Sequence, residues 1–166
     1  MHPERRDCGR GLMRQNDRRR AAVMGEDMSD GDFTSLEGLR STLGTTPIHR
    51  WLGFEITEVD RAAGTLTMTC PAGGNSSRYE GAGQAHGGAI ATLIDSAATF
   101  ACAAMLGRGV PTSSIRVDYL RPAGGTLLVA KARVIRRGRT LALVDVEVES
   151  DGKLVATGRC VEVSAA

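Results

Sequence analysis

The longest apolar stretch of the chain runs from Ala85 to Leu106 and is rich in alanine. Its apolar residues surround every side of a helix, a pattern typical of a helix buried in a core. Gly107 and Pro111 follow the stretch and predict that the helix ends there. One carboxylate, that of Asp95, lies in the middle of the stretch, where an unpaired buried charge is costly.

Alternation of apolar and polar residues on both sides of this helix predicts antiparallel strands. The predicted strands cover residues 52–59, 65–70, 112–120, 126–136, 140–149 and 154–163. A short helix capped by Thr34 or Ser35 is expected before the first strand, ending at Gly44. One long apolar helix and one sheet predict an α+β fold in which the sheet wraps around the helix.

The chain has 166 residues, enough for one domain with a sizeable core. Residues 1–32 are charged and lack apolar periodicity, with seven arginines before residue 21, so we expect a disordered N-terminal extension. A solvated tail is favoured there over a basic binding arm, and a native start at Met24 or Met28 is a further hypothesis. Residues 33–166 are expected to form the single folded domain.

The composition indicates which binding partners and which cellular compartment to expect. The formal net charge is only +2, which gives no reason to expect nucleic acid as a partner. Polar residues within Ala85–Leu106 argue against a membrane span, and no apolar segment typical of a secretory signal follows the N-terminal charges. The cysteines form no C-x-x-C pair, so we expect a reduced, cytoplasmic protein without a metal site. They are Cys8, Cys70, Cys102 and Cys160.

The start of the long helix suits binding of a developing negative charge. His86, Gly87 and Gly88 lie where backbone N–H groups have no partner within the helix and the helix dipole is positive. The N–H of Gly87 is a candidate donor to an oxyanion, whereas the plain alternative is a tight join between loop and helix. Gly87 and Asp95 are about 12 Å apart along one helix. If both act on one carbonyl, they come from two subunits, which predicts a dimer with two composite sites.

Three motifs in this order resemble those of the hotdog-fold acyl-CoA thioesterases of the phenylacetate-pathway (PaaI-like) type. They are H-G-G-A at residues 86–89, L-I-D at residues 93–95 and S-I-R-V-D-Y-L-R-P-A at residues 114–123. The resemblance extends over about residues 47–163 and implies a hotdog fold. In that fold, a five- or six-stranded antiparallel sheet wraps around the long helix, and the protein is a homodimer or homotetramer.

The resemblance also implies roles for individual residues. Asp95 is implied as the general base or the nucleophile, and the Gly87 N–H as the group that polarises the thioester carbonyl. It further implies supporting roles, beside the catalytic groups or the substrate, for His86, Gly88, Thr99, Thr112 and Ser113.

One position departs from the family pattern. Many members carry Asn or Gln six residues before the histidine, where this chain has Glu80. Glu80 is a variant base, a structural loop residue or a sign of an altered mechanism, and a second acid near Asp95 would raise the pKa of one of the two. A shifted loop would instead bring in Asn75 or Gln84.

Arginines around one predicted hairpin turn are candidates for binding the phosphates of CoA, with a solvated hairpin as the equal alternative. The candidates at the turn are Arg133, Arg136, Arg137 and Arg139, with Arg116 and Arg121 on the strand before it. Trp51 and Tyr119 are expected in the core rather than along an acyl pocket.

The resulting functional prediction is hydrolysis of an acyl-CoA thioester to a free acid and CoA. It requires no metal or redox cofactor, because water, one carboxylate and one oxyanion donor suffice. Alternatives are hydrolysis of acyl-carrier-protein thioesters and a non-catalytic module that binds acyl-CoA.

Overall fold

A computed structural model describes residues 31–165 of the chain. Within that range the helices are α1 (Leu36–Thr45), α2 (Pro47–Leu52) and α3 (Gly87–Leu106), with a 3₁₀ turn at Gly74–Ser76. The strands are β1 (Glu55–Asp60), β2 (Thr65–Pro71), β3 (Thr112–Tyr119), β4 (Leu127–Arg137), β5 (Leu141–Ser150) and β6 (Lys153–Val163). The disorder predicted for residues 1–32 falls almost entirely outside the described residues and stays a prediction.

The six strands form one antiparallel sheet in the order β1-β2-β4-β5-β6-β3. Helix α3 packs along one face of this sheet and contacts β2, β3, β4, β5 and β6. The predicted α+β hotdog architecture, a sheet wrapped around one long helix, is confirmed, with six strands rather than five.

The core lies between α3 and the sheet. Leu93 and Ile94 of the helix are fully buried, together with alternate residues of the strands. In β5 the inward-facing residues are Ala142, Val144, Val146 and Val148. Gly158 of β6 lies directly under the helix, where a Cβ atom would be 2.3 Å from Cγ2 of Ile94. The missing side chain therefore lets α3 approach β6 closely.

Residues 47–52 form helix α2, so the first strand begins at Glu55 and not at residue 52 as predicted. Pro47 occupies its first turn, where a missing N–H costs nothing, and Gly53 ends it in the left-handed region at φ 69°. The expectation that Trp51 and Tyr119 belong to the core is wrong, because their exposed fractions are 56% and 54%.

Candidate active site

His86 is the N-cap of helix α3. Its Nδ1 accepts a hydrogen bond from the Gly88 N–H at 2.9 Å, so Nδ1 carries no proton and the neutral ring has its proton on Nε2. The N–H groups of Ala89 and Ile90 donate to the His86 carbonyl at 3.0 and 3.2 Å. The Gly87 N–H has no acceptor among residues 31–165, so a free donor remains at the positive end of the helix.

Tyr119, the last residue of β3, fixes the other side of this helix end. Its hydroxyl donates to the Gly87 carbonyl at 2.8 Å, and a Cβ atom at Gly87 would lie 3.3 Å from the Tyr119 ring. The absence of a side chain at Gly87 thus allows the tyrosine to pack on the backbone. Tyr119 belongs to the motif at residues 114–123, but its role as a support for Gly87 appears only in the structure.

Asp95 lies two turns further along α3 and is half-buried. Thr112, the first residue of β3, donates its hydroxyl to Oδ1 of Asp95 at 2.8 Å. The Thr99 and Thr112 hydroxyl oxygens are 3.1 Å apart. The structure therefore brings together three residues, Asp95, Thr99 and Thr112, that the sequence named as candidates. Gly87 is not near them, because it begins the same continuous helix about 12 Å away.

Ser113, the next residue of β3, is exposed and marks an irregularity in the sheet. The pairing of β3 with β6 shifts register between Thr112 and Ser114, as in a β-bulge. This bulge separates Thr112, which points at the site, from the regular part of the edge strand.

Glu162 of β6 is a further acid at this site. It is the cross-strand partner of Thr112, its side chain is fully buried, and its Oε2 lies 3.1 Å from Oγ1 of Thr112. Burial, together with the charge of Asp95, raises the pKa of Glu162 to about 7, although hydrogen bonds from Thr112 and Thr99 oppose the shift. No motif in the sequence points to Glu162. The sign of its burial in the sequence was the alternation of β6, because Glu162 follows Gly158 and Cys160 at every second residue, and these face inward.

Glu80 is exposed in the loop that precedes α3. Among the described residues, the acid linked to Asp95, through the Thr112 hydroxyl, is Glu162. The two alternatives to Glu80 have other contacts: the Asn75 amide donates to the Trp51 carbonyl at 2.5 Å, and Gln84 forms a β-bridge with Gly124.

His49 of α2 contacts the residue after Asp95. Its Nε2 lies 3.0 Å from Oγ of Ser96, and its Nδ1 lies 3.3 Å from the Leu43 carbonyl. The ring stacks on Phe54 and meets the edge of Phe100. Burial lowers the pKa of His49, although the Leu43 carbonyl and the charge of Asp95 oppose this. A neutral ring in this setting ties α2 to α3.

The candidate phosphate-binding arginines fall into two places. Arg136 and Arg139 line one shallow depression at the β4–β5 turn, and Arg137 ends β4 beside it. Arg116 lies on β3 and pairs with Asp118 at 3.1 Å, so its charge is already partly neutralised.

The buried thiols are poor nucleophiles. Burial raises the pKa of Cys70 and Cys102 to about 11 and that of Cys160 to about 12. In the part of the chain that the structure describes, no three His, Cys, Asp or Glu residues are grouped as metal ligands. Cys8 lies outside the described residues.

A sheet wrapped around one long helix defines the hotdog fold. In this protein the first N–H of that helix has no acceptor among residues 31–165, and a carboxylate lies in the middle of the helix. Residues 82–164 match a family model described as Thioesterase superfamily. The chain belongs to this superfamily.

The relatives that match part of the chain include acyl-coenzyme A thioesterases. The chain is 39% identical to mouse acyl-coenzyme A thioesterase 13 over 82 residues, which is 46% of this chain and 58% of the relative. It is 32% identical to the Escherichia coli acyl-coenzyme A thioesterase PaaI over 98 residues, which is 58% of this chain and 66% of the relative. The matches thus span 58% and 66% of the lengths of these relatives.

Solved structures share the fold over more of the chain. A phenylacetic acid degradation-related protein of Ralstonia eutropha superposes with a TM-score of 0.65 at 32% identity, covering 75% of this chain and 98% of that one. The E. coli PaaI protein superposes with a TM-score of 0.65 at 25% identity, covering 80% of this chain and 97% of that one.

Proposed function

We propose that this protein hydrolyses an acyl-CoA thioester to a free acid and CoA. The observation that carries the proposal is the position of Asp95 in a thioesterase-superfamily chain. It is a half-buried carboxylate on a buried helix, oriented by the Thr112 hydroxyl at 2.8 Å. A structural carboxylate on this helix would need no open side, whereas a base must be reached by water.

The chemistry needs two groups. Asp95 removes a proton from water as the oxygen attacks the thioester carbonyl, or attacks the carbonyl itself to form an anhydride that water then opens. The Gly87 N–H, free of other acceptors in the described chain, stabilises the oxyanion that forms. Collapse of the tetrahedral intermediate breaks the C–S bond, and CoA leaves as a thiolate that takes up a proton.

The two groups act together only across two chains. Gly87 and Asp95 lie on one helix about 12 Å apart, and reacting atoms must approach to about 3–3.5 Å. Two copies related by a two-fold axis, with their α3 helices antiparallel, would place Gly87 of one copy beside Asp95 of the other. Each dimer then has two sites, and a dimer of dimers contains the same pairs of Gly87 and Asp95.

The edges of the sheet favour β3 as the strand that meets the second copy. Strand β3 is an edge strand with exposed apolar side chains, and Ile115 is 42% exposed. Leu120, just beyond its end, is 49% exposed. The other edge strand, β1, exposes acids instead: Glu55, Glu58 and Asp60. Strand β3 also exposes Arg116 and Asp118, but these two side chains pair with each other. Exposed apolar residues beside such a neutralised pair suit pairing of the edge, whereas a row of acids opposes it.

The proposal also assigns roles to the residues around these two groups. His86 caps α3, which leaves its Nε2–H to contact the thioester, and Thr99 helps to hold the attacking water. Gly88 and Ser113 line the approach of the substrate, and the arginines at the β4–β5 turn bind the CoA phosphates. The reaction uses no metal or redox cofactor and takes place in the cytoplasm. Glu80 is exposed in the loop before α3, and its part in the reaction stays a prediction.

Two other functions are weighed against this one. A thioesterase for acyl-carrier-protein substrates would use the same two groups. A non-catalytic acyl-CoA binding module would have no use for a half-buried, oriented carboxylate. The names of the relatives favour acyl-CoA as the substrate.

The test is a panel of short, aromatic and long acyl-CoA thioesters, assayed by release of free thiol. We expect hydrolysis of at least one class. Asp95→Asn should lower kcat by roughly 10²- to 10⁴-fold with little change in KM, because the substituent keeps the shape but not the base. Glu58→Gln, which neutralises an exposed acid on β1, is the control and should be fully active. No turnover across the panel by the wild type would reject the proposed function, and full activity in Asp95→Asn would reject the assigned base.

A further inference from the structure

The hydroxyl of Thr112 has three polar neighbours but only one hydrogen. Oδ1 of Asp95 lies 2.8 Å away, Oε2 of Glu162 lies 3.1 Å away, and the Thr99 hydroxyl lies 3.1 Å away. If both acids are ionised, Thr112 can donate to only one of them, and the other carboxylate faces a lone pair. If one acid carries a proton, that acid donates to Thr112, Thr112 donates to the other acid, and Thr99 donates to Thr112. Every contact then contains a hydrogen.

Burial decides which acid holds the proton. Glu162 is fully buried, whereas Asp95 is half-buried and reaches solvent. The second oxygen of Glu162, Oε1, has no hydrogen-bond partner within residues 31–165. A buried carbonyl oxygen without a partner is tolerable, but a buried carboxylate without one is far more costly. The proton therefore belongs on Glu162.

The groups near Glu162 that favour its negative charge are two hydroxyls, those of Thr112 and Thr99, and burial outweighs them. Helix α3 faces it with Asp95 and Cys102, and its own strand contributes Cys160. These groups are acidic or neutral. The opposite strand, β3, presents only the uncharged Thr112, and no cation among the described residues forms an ion pair with Glu162.

We propose that Glu162 is a positioning residue which, as a neutral acid, donates to Thr112 and so directs the Thr112 hydroxyl onto Asp95. This role rests on the proposed function of Asp95 as the base. The chain of donation runs from Oε2 of Glu162 to Oγ1 of Thr112 and on to Oδ1 of Asp95. No bond is broken in it, because Glu162 keeps its proton while Asp95 stays ionised and fixed in orientation.

The arrangement has a built-in dependence on pH. Loss of the proton from Glu162 leaves two carboxylates competing for the single Thr112 hydrogen, and Asp95 loses its donor in part of the molecules. Hydrolysis therefore declines as the pH rises through the titration of Glu162, whose pKa burial raises to about 7.

The decisive variant is Glu162→Gln. A glutamine amide donates to Thr112 as the neutral acid does, but it does not titrate. We expect kcat within threefold of the wild type at pH 6, and no decline between pH 6 and pH 8, where the wild type declines. Glu162→Leu removes the donor but leaves the Thr112 hydroxyl in place. It should lower kcat at every pH by roughly 3- to 10-fold, the range for a lost hydrogen bond between neutral groups.

Thr112 supplies a matched pair. Thr112→Val keeps the shape without the hydroxyl and should lower kcat by roughly 10- to 100-fold, the range for a lost hydrogen bond to a charged group, and so by more than Glu162→Leu. Thr112→Ser keeps the hydroxyl and should recover most of that loss. Identical pH profiles for wild type and Glu162→Gln, or full activity in Thr112→Val, would overturn the proposal.

A second measurement does not depend on turnover. Carbon-13 NMR of the side-chain carboxyl groups follows the protonation of Asp95 and Glu162 in the wild-type protein. We expect Glu162 to titrate near neutral pH and the Asp95 signal to respond at the same pH, a response that disappears in Glu162→Gln. A Glu162 that ionises below pH 5, or an Asp95 that holds the proton instead, contradicts the proposal. If the wild type hydrolyses no thioester, the proposed function fails and this titration still decides the role of Glu162.

Discussion

Gly158 of β6 faces Ile94 of α3 so closely that a Cβ atom on the glycine would lie 2.3 Å from Cγ2 of the isoleucine. Asp95 is the next residue of the helix, and Glu162 lies four residues further along the strand. The close approach of helix and strand at this point allows Asp95 to reach Thr112 and, through it, Glu162.

Gly158→Ala should push α3 away from β6. The added methyl group overlaps a branched side chain in a packed core, which costs about 1–3 kcal/mol of unfolding free energy. It should also lower kcat by lengthening the contact between Asp95 and Thr112. Urea unfolding and thiol release measure the two effects.

Gly44→Ala is the control for that substitution, because a Cβ atom there meets nothing within 4 Å. It should leave stability equal or slightly higher, since alanine favours a helix over glycine. Equal stability for Gly158→Ala and Gly44→Ala would mean that the helix is not held against β6 as described.

The two-chain site can be tested by complementation. Gly87 is the first residue of α3, and the preceding His86 is extended at ψ 138°, so Gly87→Pro fits the backbone while removing the N–H. Gly87→Pro and Asp95→Asn should each be inactive as homodimers. A heterodimer of the two contains one intact pair, and we expect about half the wild-type activity per dimer.

Purification through two different affinity tags isolates that heterodimer. Gly87→Ala, which keeps the N–H, controls for the added bulk beside Tyr119. A heterodimer as inactive as its parents would show that Gly87 and Asp95 do not form a site across two chains.

Glu162 should make the protein less stable at high pH. Its pKa is about 7 in the folded protein and 4.5 in the unfolded chain, so between these values the folded state binds more protons. The free energy of unfolding therefore decreases as the pH rises through this window, by up to about 3 kcal/mol. Urea unfolding at pH 5 and pH 8 should show this loss in the wild type and in Glu58→Gln. The loss should be absent in Glu162→Gln.

His49 should change the free energy of unfolding with pH in the opposite direction to Glu162. Burial lowers its pKa below 6.5, so the unfolded chain takes up a proton before the folded chain does. The free energy of unfolding then decreases as the pH falls through 6.5. The effect is best measured in the Glu162→Gln background, where the opposing titration is removed. In that background, His49→Gln should show a flatter dependence between pH 7 and pH 5.

Alternation was sufficient to predict most of the sheet. Strand β5 was predicted over residues 140–149 and is found at Leu141–Ser150, because its inward and outward residues alternate without a break. Helix α2 was not predicted, since six residues give too little periodicity. Its signals were local ones, Pro47 at the start and Gly53 at the end.

The residues of the candidate site could likewise be predicted only in part. Asp95, Thr99 and Thr112 could be named from helical spacing and motif, and the structure brings them together. Glu162 could not, because its nearness to Thr112 depends on the register between β3 and β6, which no local pattern determines. Trp51 was misplaced because an aromatic residue beside a strand suggests the core, whereas it lies on the exposed side of α2.

Strand β3 begins with Thr112, which contacts Asp95, and ends with Tyr119, which contacts Gly87. A single edge strand thus touches both halves of the proposed site. Unpaired edge strands are among the least protected parts of a sheet, so pairing with a second copy would order both halves in one event. Formation of the dimer and formation of the complete site would then be the same equilibrium. The activity per chain would fall as the protein is diluted below the dissociation constant of the dimer.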